Sequence, residues 1–144
     1  MAEMSSSYSI VVDAPIDEVF HAFCDPLIMP DWFTTALEIR GYEPPLAAGK
    51  QFEEVGKVMG RELVSKATVT AFEPPHRYVR RVDGPASGEI QHLAEIVEGG
   101  VKVSVIFRGE LKGFLAGLAA PLVRGQANRQ VENDLKSFKA YIER

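Results

Sequence analysis

Three positions in this chain place a reactive or polar side chain where its neighbours two residues away are apolar or small, and a fourth stretch alternates two such residues with others. His92 stands between Ile90 and Ala94, Glu54 between Phe52 and Gly56, and Ser65 between Leu63 and Ala67. Tyr78 and Arg80 alternate with Val79 and Arg81. In a strand, residues two apart share a face. His92, Glu54 and Ser65 therefore fall on apolar faces, and the remaining stretch presents either Tyr78 with Arg80 or Val79 with Arg81. Burial in apolar surroundings raises the pKa of a carboxyl and lowers that of an imidazole, so such a set is a usable acid-base kit. Tyr78 and Arg80 suit a different task, clamping a ligand carboxylate or phosphate. Each residue also has a plain structural reading: a satisfied buried imidazole, a carboxylate that reaches water, a small filler, a solvated arginine.

Other kinds of chemistry find no support. His21 and Cys24 are three apart on a helical stretch, but two ligands without a third do not hold a metal. Cys24 is the only cysteine, which excludes an internal disulfide and fits a reducing compartment. It also sits at a helix end, whereas thiolates are favoured at helix starts. There is no G-x-S-x-G, no phosphate-binding glycine loop, no dinucleotide fingerprint and no recognisable triad order. The residues imply no metal and no cofactor. A net charge of −4 gives no basic excess for a phosphate backbone, so nucleic acid is not an expected partner.

The elements that must position these residues follow from periodicity. Tyr8 to Val12 is a short β-rich run. Asp13-Ala14-Pro15-Ile16-Asp17-Glu18 then starts a helix, since proline suits a first turn and acidic residues favour the positive end of the helix dipole. Ile16, Val19, Phe20 and Phe23 make its apolar stripe, and Asp25-Pro26 ends it. The segment from Pro26 to Phe33, with Pro30 and Trp32, predicts one short helical turn. Six strands follow, at Ala36 to Tyr42, Gln51 to Met59, Arg61 to Phe72, Arg77 to Val82, Gly88 to Val97 and Val101 to Leu111. Their connections, at Pro44-Pro45, Gly60, Pro74-Pro75, Asp83-Gly84-Pro85 and Gly99-Gly100, are short enough to make neighbours antiparallel. Phe114 to Ile142 reads as a terminal helix with Val131, Leu135, Phe138 and Ile142 on one stripe. Leu115, Leu118 and Leu122 form a second stripe, which at about 100° per residue is half a turn out of phase. Pro121 lies between the two, so a kink or break is expected at Ala119 to Val123.

The reading is an α+β fold: a seven-stranded curved antiparallel sheet around a long C-terminal helix, with two short helices after the first strand, forming one domain over residues 1–144. Alternation puts Phe52, Glu54, Gly56 and Val58 on the inner face, with Leu63, Ser65, Ala67 and Val69. Ile90, His92, Ala94 and Ile96 join them, with Val101, Val103, Val105 and Phe107. A curved sheet that grips a helix without meeting it everywhere leaves a pocket. Trp32 either gates or plugs it, and Arg124 and Asn128 fall near the inward stripe of a straight helix. The longest apolar stretch, Gly113 to Val123, is eleven residues against the roughly twenty of a bilayer span. Its G-x-x-x-G at Gly113 and Gly117 reads as ordinary helix packing. Met1 to Ser7 lacks the basic start and apolar core of a secretory signal, so the chain is read as cytoplasmic.

The order of these elements, with Ile10-Val11-Val12-Asp13-Ala14-Pro15 and Val19-Phe20, Asp25-Pro26 to Pro30-Asp31-Trp32, Gly49 before Phe52, and Phe72-Glu73-Pro74-Pro75 before Arg77-Tyr78, resembles the START-like helix-grip superfamily. Within it the chain is most similar to the polyketide cyclase/dehydrase and lipid-transport group, from about Tyr8 to Ile142. The resemblance implies a deep hydrophobic cavity for a lipid, polyketide or aromatic molecule, and no particular chemistry. The expected ligand contacts are Trp32, Glu54, Ser65, Tyr78, Arg80, His92, Phe107 and Asn128. The leading expectation is a carrier or binder of a hydrophobic small molecule. One alternative is a cyclase or dehydratase in which His92 with Glu54 or Tyr78 moves protons. Another is a protein-interaction module of chaperone-activator type, using the outer sheet face or the Phe114 to Val123 piece. No stable membrane span is expected, and the patterns do not distinguish a monomer from a dimer.

Overall fold

Strands that alternate apolar with polar residues bury one face and wet the other, and here seven of them pair in one antiparallel sheet. In the computed structural model, residues 2–34, 37–58, 60–111 and 120–144 are described. The strands are β1 (Ala2–Val12), β2 (Glu38–Arg40), β3 (Gln51–Val58), β4 (Arg61–Glu73), β5 (Arg77–Asp83), β6 (Ala86–Val97) and β7 (Gly100–Leu111). Their spatial order is β1-β7-β6-β5-β4-β3-β2. Two short helices, α1 (Ile16–Cys24) and α2 (Met29–Trp32), follow β1, and α3 (Ala120–Ile142) closes the chain.

Local chemistry explains the boundaries. Pro15 is the N-cap of α1, and its carbonyl accepts the first helical bond from the Val19 amide at 3.0 Å. Asp17 and Glu18 occupy the first turn, where the dipole favours them. Asp25 ends the helix and bends the chain, its Oδ1 accepting from the Leu27 amide at 2.9 Å. Pro30 lies in the first turn of α2. Gly88 and Gly109 face each other on one rung of β6 and β7, and a Cβ on Gly88 would lie 2.2 Å from the Arg108 carbonyl oxygen. Side chains are absent where the backbones curl together.

Several expected boundaries move. β1 runs back to Ala2, well before Tyr8, because it pairs with β7 from Ala2 opposite Leu111 to Val12 opposite Val101. Polar residues on this strand gave no alternation to read, and the ladder sets its length. β2 shrinks to three residues because it pairs only with Glu53 to Val55 of β3. Ala36, Met59 and Phe114 to Ala119 lie outside the described residues. From Ala120 to Ile142 α3 is continuous, and the kink or break expected at Ala119 to Val123 begins at a residue outside the described ones. Ile96, expected inward, is 71% exposed, because β6 outruns the cover of its inner face between Ala94 and Ile96.

The core sits between the sheet's inner face and the helices. Val12, Val101, Val103 and Ala94 form its floor, and Phe23, Trp32, Leu135 and Phe138 its filling. Three tethers hold α3 in place. Asp134 Oδ1 accepts from the Thr34 amide at 2.9 Å, Thr34 Oγ1 at 2.7 Å and Gln130 Nε2 at 2.7 Å. Lys139 Nζ donates to the Val11 carbonyl at 2.9 Å, and Glu143 Oε2 accepts from the Asp13 amide at 2.8 Å.

Candidate functional site

Register decides which polar side chains meet. Tyr78 pairs with His92 and Arg80 with Ile90, so both project onto the inner face, whereas Arg81 is exposed beside Asp83. The choice left open by alternation thus falls on Tyr78 and Arg80. Val79, on the other face, is also buried, beside the register shift between Val69 and Ala71 of β4. Burial on both faces is why alternation alone does not choose. Glu54 pairs with Ser65 across β3 and β4.

Arg80, 2% exposed, is the centre of the cluster. Its Nε and Nη2 donate to the two Glu54 carboxylate oxygens at 2.6 and 3.2 Å, a bidentate pair. Its Nη1 is 2.9 Å from His92 Nε2. A guanidinium only donates, so Nε2 is the acceptor, and Nδ1 carries the proton it gives to the Phe23 carbonyl at 3.0 Å. Burial, and then the Arg80 charge, hold the His92 imidazole well below its usual pKa, against the raising effect of the Phe23 bond. Burial works against the Arg80 charge too, but the Glu54 carboxylate outweighs it and the guanidinium stays protonated. The result is a neutral imidazole locked in one tautomer by an arginine and a backbone carbonyl.

Tyr78 is fully buried, edge-on to the His92 ring at 5.4 Å and to Phe72 at 6.3 Å between centroids. Its hydroxyl has no hydrogen-bond partner among the described residues. An unsatisfied buried hydroxyl costs about 1–3 kcal/mol, so its presence calls for an explanation. Burial raises the phenol pKa, with Arg80 opposing, and the group stays protonated.

The other expected residues separate into two neighbourhoods. Trp32 belongs to the packed end: Nε1 donates to the Ala22 carbonyl at 3.1 Å, and its ring lies 5.9 Å from Phe23 and 5.1 Å from Phe138. It plugs the core. Phe107 and Ile90 are opposite one another on β7 and β6 and only half-buried, as is Ser65. Asn128 is exposed, a departure from its expected inward position. It shares the stripe of Leu135 seven residues on, and cover along that stripe grows from Asn128 toward the C-terminus: Val131 is half-buried, while Leu135 and Phe138 are fully buried. The Arg124 side chain lies outside the described residues. Sequence reasoning missed the Phe23 carbonyl and the Asp134 latch. A backbone acceptor leaves no mark in the residue type, while Asp134, four residues after Gln130 and next to Leu135, had a readable position.

Cys24 is buried, and burial pushes its thiol well above the usual value. Among the described residues no group of three or more His, Cys, Asp or Glu side chains is placed to hold a metal, and no helix is long and apolar enough to cross a membrane.

Residues 3–143 match the family described as polyketide cyclase / dehydrase and lipid transport. The chain belongs to that family. Three solved structures illustrate the fold that this polyketide cyclase / dehydrase and lipid transport member shares. A protein from Thermus thermophilus is 17% identical, with 96% of this chain and 97% of that one covered and a TM-score of 0.81. A conserved protein from Geobacillus kaustophilus is 17% identical, covering 96% and 95%, at 0.76. The major latex-like protein 151 from Panax ginseng is 11% identical, covering 99% of each chain, at 0.73. At such identities the likeness establishes the START-like helix-grip fold. No curated protein matches the chain significantly.

Proposed function

We propose that this family member binds a hydrophobic small molecule, as a carrier or binding protein, between the inner sheet face and α3. One observation carries the reading: cover is lost along a single helical stripe. Leu135 and Phe138 are fully buried, Val131 is half-buried and Asn128 exposed, while Ile90 and Phe107 on the sheet stay half-buried. Apolar side chains left incompletely covered on a concave surface are what an apolar ligand would complete. The family's description, with its polyketides and lipids, supports the same class of ligand.

A carrier fits better than an acid-base enzyme on the hydrogen bonding. Both nitrogens of His92 are occupied, so its imidazole has no free site at which to exchange a proton with a ligand, and both Glu54 oxygens already accept from Arg80. The proposed unit is one domain over residues 1–144. The single, buried Cys24 suits a cytoplasmic setting.

Native mass spectrometry of freshly purified protein tests the reading. The expected result is a mass excess that an organic extraction removes, and an extracted protein that then binds the neutral dye N-phenyl-1-naphthylamine with a fluorescence gain. A protein that carries no ligand and leaves the dye in water would overturn it. Ile90→Trp, which adds bulk to the half-covered face, is expected to abolish dye binding without lowering the melting temperature.

A further inference from the structure

The neighbourhood of Arg80 holds more hydrogen-bond donors than acceptors. Of the five guanidinium N–H groups, three are used by Glu54 and His92, and two have no partner among the described residues. The Tyr78 hydroxyl adds a third unpaired donor, its ring centroid 5.8 Å from Arg80 Cζ. The acceptors of the cluster are turned to other donors: both Glu54 oxygens and His92 Nε2 to Arg80, and the Phe23 carbonyl to His92. What the described residues do not supply is an acceptor oxygen at the Tyr78 hydroxyl.

Charge narrows the choice further. The Arg80 charge is matched by Glu54, and His92 is held as a neutral donor-acceptor, so the buried cluster is balanced as it stands. A ligand carboxylate or phosphate would bring an uncompensated negative charge into apolar surroundings, at a heavy desolvation cost. An uncharged acceptor brings none. Glu54, paired with Arg80 at the edge of the cluster, is half-buried.

Resting on the binding role argued above, we propose that the bound molecule carries an uncharged acceptor oxygen, of ketone or ester type, on its apolar body, and that Tyr78 Oη donates the hydrogen bond that selects it. Tyr78 is then a specificity-determining residue, and its missing partner belongs to the ligand.

Three matched probes test this by displacing N-phenyl-1-naphthylamine from the full chain: 2-acetylnaphthalene, 2-ethylnaphthalene and 2-naphthoate. The wild-type protein is expected to bind the ketone more tightly than either of the others. In Tyr78→Phe the ketone should weaken about fivefold, the size of one net hydrogen bond, while the ethyl compound is unchanged. The melting temperature of Tyr78→Phe should equal or exceed that of the wild type, since the variant loses only an unpaired hydroxyl. A ketone-to-ethyl ratio unaltered by the substitution overturns the proposal, and so does a carboxylate that binds wild-type protein as tightly as the ketone. Should the variant not fold, the wild-type ranking of ketone over carboxylate still decides. Displacement by none of the three overturns the binding role and this inference with it, whereas displacement by all three without discrimination overturns this inference alone.

Discussion

His92 is bound on one side by a cation that cannot give up its charge and on the other by a carbonyl that can only accept, so folding fixes it as a neutral imidazole. Its folded pKa lies below the unfolded value of 6.5. The unfolded chain therefore binds more protons between the two values, and stability falls as the pH drops from about 6.5 toward the folded pKa, by up to about 1.4 kcal/mol per pH unit. Above that window the contribution is constant. Urea unfolding of the wild type and of His92→Gln between pH 7.5 and 5 should show the two converging as the pH falls, because the variant lacks the titrating group. Curves that stay parallel would mean that His92 titrates normally. The pairing of Glu54 with Arg80 belongs to the same scale: breaking a buried pair costs far more than its intact form contributes, so its value is largely in fixing the geometry around Tyr78.

At the scale of elements, α3 is held by side chains that reach across the chain as well as by its apolar stripe. Asp134 gathers three donors on one oxygen, two of them from Thr34, immediately after α2. Removing it strips the Thr34 amide of its acceptor and frees the helix from that corner. Asp134→Ala is expected to lower stability by about 2 kcal/mol, read as a lower urea midpoint with an unchanged slope. An effect below a few tenths would show that water replaces the carboxylate. The elements were largely legible from periodicity, since α1, α2 and strands β3 to β7 fall within about two residues of their expected limits. Legibility failed on the two edge strands, for opposite reasons. Ala2 to Ser7 has no apolar rhythm yet extends β1 through pairing, and the apparent strand after Ala36 shrinks because β3 offers it only three rungs. Pairing partners, which no local pattern records, set both lengths.

For the molecule as a whole, the coil of the sheet decides how closely α3 approaches it. Gly88 and Gly109 let β6 and β7 curl where the Cβ direction of each points into the other strand's backbone. Gly88→Ala forces a methyl group against the Arg108 carbonyl, which no side-chain motion relieves. We expect a loss of about 2 kcal/mol or more, together with weaker dye binding beyond what the stability change explains, as the concave face flattens. A folded variant with unaltered affinity would separate curvature from binding. The sequence by itself determined the element types, the inner-face alternation and the identity of the polar intruders, because these depend on side-chain character at spacings of two or about 3.6 residues. Only the tertiary structure decided that Arg80 and not Arg81 points inward, that His92 is locked rather than free, and that the Tyr78 hydroxyl has no partner among the described residues. Those outcomes depend on register and on backbone acceptors brought together from distant parts of the chain, as when the Phe23 carbonyl, from α1, reaches a histidine on β6.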